Sequence, residues 1–279
     1  MPEGPEVRRA ADRIEKAVAG KPITMIDMDH PALEGAERWL YGAVLQRVQT
    51  FGKGFALCFD CGYAIYVHLQ LYGVWRTGRL PQTKSTRRRL RLRLATDKHY
   101  AALYSATDIS VWPTQDLGKH PYIRKLGPDL LRQNYKACHI SRRLADKRFA
   151  RRSLGALLLD QSFFAGIGNY LRSEILFVAK IHPKRTLGSL SSSERKGLAV
   201  AIHGVTLRAY QTGGITTSAS YVQKAKAQGQ TRRAYRHYVF GRVGKKCPTC
   251  QATIEKHTVA GRRLYFCRQC APLTQLRAQ

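Results

Sequence analysis

The sequence is poor in acidic residues: 18 Asp and Glu stand against 48 Lys and Arg, a formal net charge of +30, and the pI is near 10.4. Solubility alone does not call for that surplus, because added carboxylates serve it better than added cations. A surplus spread along a folded composition suits a polyanionic partner, most plausibly nucleic acid. The sequence also lacks any run of the roughly 18 to 20 apolar residues a membrane-spanning helix needs, which sets membrane insertion aside. The opening MPEGPEVRR lacks the basic-then-apolar pattern of an export signal, so a cytoplasmic location is expected. Cysteine is scarce and odd in number, seven in 279 residues, which argues for a reducing compartment and against a disulfide framework. No internal repeat is present.

What is present reads as an α+β, multidomain chain. From Pro5 to Ala19, Val7, Ala10, Ala11, Ile14, Ala17 and Val18 fall at helical spacing opposite a charged face, and Gly20 with Pro22 stops the helix. Between 40 and 111, short runs such as ALCFD, YAIYVHLQLYGVW and LRLRLAT alternate or are β-branched and aromatic. An antiparallel β-sandwich carrying the first helix is expected there, with 76–89 a basic loop. After 117–130 the period turns helical: RRSLGALLLDQ, NYLRSEILFVAK and SSSERKGLAVAIHGVTLRAY read as helices, the last with a capping box, Ser191 and Glu194. The polar stretch from Ser218 to His237 reads as a mobile connector. The expected division is 1–124, 125–220 and 221–279, with the last module at about 238–272.

Cys247, Cys250, Cys267 and Cys270 form two CxxC pairs separated by sixteen residues. Two such knuckles close a tetrahedral site without a vacancy for water, so one structural Zn2+ on a β-hairpin is expected. A tail of this size cannot order itself by burial alone, and the metal would supply its folding energy. Cys58 and Cys61 form another CxxC but stand alone on a strand-to-turn segment, and read as ordinary strand and turn residues. Cys138 reads as buried packing. In Gly166-Ile-Gly168-Asn169 a turn meets a helix, where Asn169 can cap and free amides can hold a phosphate.

Taken together, MPEGPEVRR, Lys53 in FGKG, AGIGN followed by YLRSEIL, and the terminal CxxC pairs resemble the bacterial Fpg/Nei DNA glycosylases over essentially the whole chain. Within that family HLQLYGVW and GNYLR look like the endonuclease VIII branch. The resemblance implies a helical H2TH domain as the central module and removal of Met1, freeing the Pro2 nitrogen as a nucleophile that attacks C1′ of a damaged nucleotide. An α-amino group titrates near 7.7 to 8.0, far below a lysine, so much of it is unprotonated at neutral pH. By the same resemblance Glu3 is the general acid/base and Glu6 positions or relays. Lys53 contacts phosphate at the lesion, and Arg262, with Arg263 one register away, is the finger arginine. Gln70, Leu71 and Tyr72 fill the gap left by the rotated nucleotide. Lys125, or Arg124, is a phosphate contact.

The implied activity is a bifunctional DNA glycosylase and AP lyase of base excision repair, releasing mainly oxidised pyrimidines and cutting by β,δ-elimination. Damaged duplex DNA is the expected partner, with no diffusible cofactor, a monomeric state and a bacterial nucleoid setting. A formamidopyrimidine-type enzyme for oxidised purines and a non-catalytic zinc-ribbon DNA-binding protein are the alternatives. An RNA-binding protein of the translation apparatus fits the charge but not the GIGN turn.

Overall fold

The apolar stripe of the first helix, α1 (Gly4–Val18), is fully used: Val7, Ala10, Ala11, Ile14 and Val18 are buried in one core. The computed structural model describes residues 2–81, 86–132 and 135–273. The chain divides into two units, Met1–Leu126 and Gly127–Gln279. In the first, β1 (Met25–Met28) and a short α2 (Glu37–Leu40) are followed by β2 (Leu45–Phe51), β3 (Gly54–Phe59), β4 (Tyr63–His68), β5 (Val74–Arg79), β6 (Leu90–Ala95), β7 (His99–Tyr104) and β8 (Asp108–Pro113). They form two four-stranded antiparallel sheets, ordered β1-β6-β7-β5 and β2-β3-β4-β8. The strict alternation of LRLRL has its reason here: Leu92 and Leu94 face the core, while Arg93 sits opposite Asp27 and pairs with it.

β3 is buried along its whole length. Phe55, Leu57 and Phe59 join α1 in the main core, and Ala56 and Cys58 meet Ala64 and Leu117 on the other face. Cys58 is therefore a packing residue, and Cys61 lies exposed in the turn beyond. Cys138 contradicts expectation, being exposed near the start of α3 (Ala137–Leu144), a helix the sequence pattern did not mark.

In the second unit RRSLGALLLDQ supplies only a short α4 (Leu154–Leu157). The main helices are α5 (Asn169–Val178) and α6 (Ser192–Gln211), the latter with the expected Ser191–Glu194 box. The connector is not irregular: it holds α7 (Ala219–Ala227) and α8 (Arg232–Tyr235), followed by the hairpin β9 (Glu255–Val259) and β10 (Arg262–Phe266).

Every side chain of α5 from Tyr170 to Phe177 is buried, including Arg172, Ser173 and Glu174. The two charges divide the labour. Arg172 donates to the carbonyl oxygens of Gly155, Val259, Arg262 and Arg263, at 2.6, 3.2, 3.3 and 3.2 Å. Glu174 accepts the Thr216 hydroxyl at 2.6 Å and the backbone N–H groups of Tyr238, Val239 and Phe240 at 2.8, 2.8 and 2.9 Å. One helix thus holds the hairpin with its cation and the preceding segment with its anion. Beside them His237 packs on Tyr170, and its Nδ1 lies 3.0 Å from the Thr216 hydroxyl. Burial, helped by Arg236, Arg232 and Arg242, pushes that imidazole down to about 3, so it is neutral at physiological pH.

Burial pushes the Glu174 carboxyl up, and the four hydrogen bonds oppose that shift. Removing the side chain takes the acceptor from three buried backbone N–H groups, each costing about 1–3 kcal/mol. Glu174→Ala is expected to lower stability by roughly 3–5 kcal/mol and to speed amide exchange at 238–240. Denaturation midpoints equal to wild type would refute this.

Candidate active site

At the chain start the elements are set by the backbone. Glu3 is extended, with φ −107° and ψ −180°, and caps α1; Glu6 reaches back one turn so that its Oε2 accepts the Glu3 N–H at 3.1 Å. Glu6, expected to position or relay, is thus bonded to the backbone of Glu3. Glu3 is only 5% exposed, and Gly4, Pro5 and Val7 around it are buried. A carboxylate placed there only for the helix dipole would lie in solvent. Pro2 is half-buried; Met1, whose removal the resemblance implies, lies outside the described residues.

Lys53 is 8% exposed, unlike a solvated turn lysine. The FGKG turn is explained by its two glycines. Gly52 has φ +61°, a left-handed angle side chains resist. A Cβ at Gly54 would lie 2.5 Å from the Tyr66 hydroxyl. The Lys53 N–H donates to the Tyr122 hydroxyl at 3.4 Å, and the Tyr122 ring packs edge-on to His68 at 5.3 Å. Burial lowers the His68 pKa, against the opposing pull of Asp108 and with the help of the Lys53 charge, which favours the neutral imidazole.

Gly54 pairs with His68 across β3 and β4, and His68 pairs with Asp108 across β4 and β8. The Lys53 turn, the loop after His68 and the turn before Asp108 therefore converge at one end of this sheet. The loop from 69 to 73 carries Gln70, Leu71 and Tyr72. Leu69 is buried as its anchor, the Gly73 N–H closes it on the Leu69 carbonyl at 2.8 Å, and a Cβ at Gly73 would lie 2.6 Å from that oxygen. Arg88 Nη1 holds the Tyr72 carbonyl at 2.7 Å. On this fixed frame Leu71 and Tyr72 are 62% and 71% exposed. Large apolar side chains held out from a braced loop are what a wedge requires. Arg124 and Lys125 sit exposed on a 3-10 turn, Ile123–Lys125. Residues 82–85 of the expected basic loop lie outside the described residues.

In the second unit Asn169 is not the helix cap. Gly168 occupies that place, Asn169 is the first helical residue, and its Oδ1 accepts from Arg172 at 3.4 Å. Gly166 has φ +97°, and Gln161 stitches the turn by accepting the Gly166 N–H and donating to Ile167 O. Arg172 ties this turn to the finger hairpin, whose tip turns at Ala260 and Gly261 with φ +53° and +69°. Arg262 and Arg263 are both exposed and, by strand alternation, point to opposite faces of β10. Sequence reading missed Arg172, Tyr122 and His68. For Arg172 the signal was there, a lone Arg amid the apolar positions of a helix with no open face.

The four cysteine sulfurs all lie within 4.8 Å of one another, with Cys247–Cys270 at 3.6 Å and Cys250–Cys267 at 3.4 Å. These separations are far too long for S–S bonds of about 2.05 Å. They fit four thiolates around a cation about 2.3 Å from each. Val239, Ile254, Tyr265 and Phe177 form a small apolar core around the cluster, with Tyr238, Phe240 and Ala252 packed against it, so this module can hold a metal and has reason to.

Two family models match the chain: the formamidopyrimidine-DNA glycosylase N-terminal domain over residues 1–107 and the formamidopyrimidine-DNA glycosylase H2TH domain over residues 126–221. Endonuclease 8 of Klebsiella pneumoniae subsp. pneumoniae is 38% identical over 270 residues, covering 97% of this chain and 99% of the relative. Endonuclease 8 of Escherichia coli O17:K52:H18 is 39% identical over 273 residues, with the same coverage of each. Among solved structures, wild-type Lactococcus lactis Fpg (MutM) complexed with DNA containing an oxidized pyrimidine matches with TM-score 0.77 at 25% identity, covering 97% of this chain and 100% of that one.

The cluster geometry carries its own test. The purified chain is expected to hold one divalent ion per molecule, and Cys267→Ser to hold none, with loss of protection in β9 and β10. A metal-free wild type with an ordered hairpin would contradict it.

Proposed function

The chain belongs to the Fpg/Nei family of DNA glycosylases with AP lyase activity, and from that premise we propose that it removes oxidised pyrimidines from duplex DNA through the amine of Pro2. The observation that carries this reading is the start of α1, where a carboxylate 5% exposed adjoins a proline on a backbone pinned by Glu6.

Once Met1 is removed, the Pro2 secondary amine has a pKa near the α-amino reference of about 7.7 to 8.0. The adjoining helix start disfavours its ammonium form further. Its lone pair attacks C1′ of the damaged nucleotide and the glycosidic C–N bond breaks, the base leaving with that electron pair and taking up the proton that the Pro2 nitrogen sheds. Glu3 donates a proton to the ring oxygen as the C1′–O4′ bond opens, leaving an iminium between Pro2 and the sugar. Loss of a C2′ proton to the carboxylate expels the 3′ phosphate, and a second elimination expels the 5′ phosphate. Water then releases the sugar remnant from Pro2, leaving a one-nucleotide gap with phosphate at both ends.

The remaining residues hold the substrate. Lys53, Lys125 or Arg124, Asn169 and Arg262 or Arg263 contact phosphates, and the surplus of +30 supplies the salt-dependent part of binding. Gln70, Leu71 and Tyr72 enter the stack as the damaged nucleotide leaves it, offsetting part of the unstacking cost of a few kcal/mol. Cys247, Cys250, Cys267 and Cys270 would hold one zinc ion, which would fix the hairpin that presents the finger arginine and, with four protein ligands, would have no catalytic vacancy. The enzyme works as a monomer on bacterial chromosomal DNA. The pyrimidine preference is supported by the relatives named Endonuclease 8 and by the resemblance of the Gln-Leu-Tyr segment to the endonuclease VIII branch.

Duplexes containing thymine glycol or 8-oxoguanine, incubated with wild type and Glu3→Gln, test the reading. Wild type is expected to nick the thymine glycol duplex faster. Glu3→Gln should bind it within about twofold of wild type while base release falls by at least about 10²-fold, the usual weight of a general acid/base. An active Glu3→Gln would remove Glu3 from the chemistry, and faster cutting at 8-oxoguanine would overturn the substrate class.

A further inference from the structure

The tip of the Gln70 loop is solvent-exposed, yet the Gln70 residue is fixed at both its backbone and its side chain. Its φ is +49°, a left-handed angle that a non-glycine residue holds only when its surroundings impose it. The imposing bond is visible: the Gln70 N–H donates to His68 Nδ1 at 3.2 Å. Nδ1 can accept only from a neutral ring, and burial keeps His68 neutral. The side chain is seized from the other direction. The Thr107 hydroxyl donates to Gln70 Oε1 at 3.1 Å, across 37 residues of sequence. Thr107 is itself seated, in the turn leading into β8, by an adjacent residue paired with His68 and by His30 Nε2 at 3.4 Å from its carbonyl.

An exposed glutamine gains little from such restraint in stability, since ordering a long side chain costs entropy that one surface hydrogen bond barely offsets. The gain lies in what is left over. With Oε1 held by Thr107, what the Gln70 amide has left to offer beside Leu71 and Tyr72 is its two N–H donors. We propose that Thr107 is a positioning residue for specificity: it fixes Gln70 as a donor toward the base left unpaired opposite the lesion. The proposal rests on the wedge reading of Gln70, Leu71 and Tyr72 given above.

A fixed donor separates the two purines that face a damaged pyrimidine. Guanine presents an acceptor, O6, where adenine presents an amine donor, N6. The chain should therefore act on a lesion opposite guanine in preference to one opposite adenine. Without Thr107 the amide is free to rotate and offer its carbonyl instead, so the preference should fade while cutting continues.

The experiment compares wild type, Thr107→Val and Thr107→Ser on duplexes with 5,6-dihydrouracil opposite guanine or adenine, and on a single strand with a preformed abasic site. Valine keeps the shape of threonine without its donor; serine keeps the donor. Wild type and Thr107→Ser are expected to favour guanine by at least about fivefold in kcat/KM, the size of one hydrogen bond. Thr107→Val should bring that ratio near one, with unchanged cleavage of the single strand, which has no opposite base. A ratio retained in Thr107→Val, or absent in wild type, overturns the proposal. So does equal loss by Thr107→Val on every substrate, which would mark Thr107 as merely structural. Failure of wild type to cut dihydrouracil at all would instead strike the proposed function, and this inference with it.

Discussion

A chain end frays unless something ties it down, and here the tie is the Glu6 carboxylate on the Glu3 N–H. Because Val7, Ala10, Ala11, Ile14 and Val18 sink α1 into the sandwich core, that bond fixes Pro2 and Glu3 relative to a rigid body rather than to a loose arm. A terminal amine is a serviceable nucleophile at neutral pH, but only a positioned one repays its use. The chemistry proposed at residue 2 thus depends on two ordinary features of helix physics, a capping residue and an apolar stripe.

The second unit meets a comparable problem from within. A small hairpin with four cysteines cannot anchor itself, so α5 reaches it with Arg172, a fully buried guanidinium bonded to three hairpin carbonyls. Two residues along, Glu174 collects three successive N–H groups of the segment leading to the hairpin. Buried charges are costly unless every hydrogen-bonding position is met. Here most positions are met by main-chain groups, joined by the Thr216 hydroxyl on Glu174 and by Asn169 Oδ1 on Arg172, which makes the arrangement depend largely on the path of the backbone. The GIGN turn lies at the start of the same helix, so one element sets both the turn and the hairpin tip.

Much of this was legible in the sequence because the signals were local. The stripe of α1, the alternation of LRLRL, the Ser191–Glu194 box and the doubled CxxC each state their own geometry within a few residues. The expected β-sandwich, helical module and cysteine hairpin are what the chain forms. What escaped was set by distant partners. The 218–237 stretch looks like a polar linker because it buries few apolar residues, Ala225 and Tyr235 among them, and its end is held by hydroxyls from outside it, Thr217 on the Tyr235 carbonyl and Thr216 on the Arg236 carbonyl. Cys138 looked like a small core residue, but its helix turns it outward. Asn169 looked like a cap, yet Gly168 takes that place because its extended backbone suits the entry to α5. The positions of Tyr122 and Thr107, 69 and 37 residues from their partners, have no local signature at all.

The proposed chemistry stands or falls on where the enzyme joins its substrate. Borohydride reduction during turnover on a thymine glycol duplex, followed by proteolysis and mass spectrometry of the adduct, reads that position directly. The predicted result is a deoxyribose remnant on the nitrogen of Pro2 in a chain that has lost Met1. An adduct on Lys53 or another side chain, or none from a chain that has lost Met1 and still cuts the duplex, would contradict it.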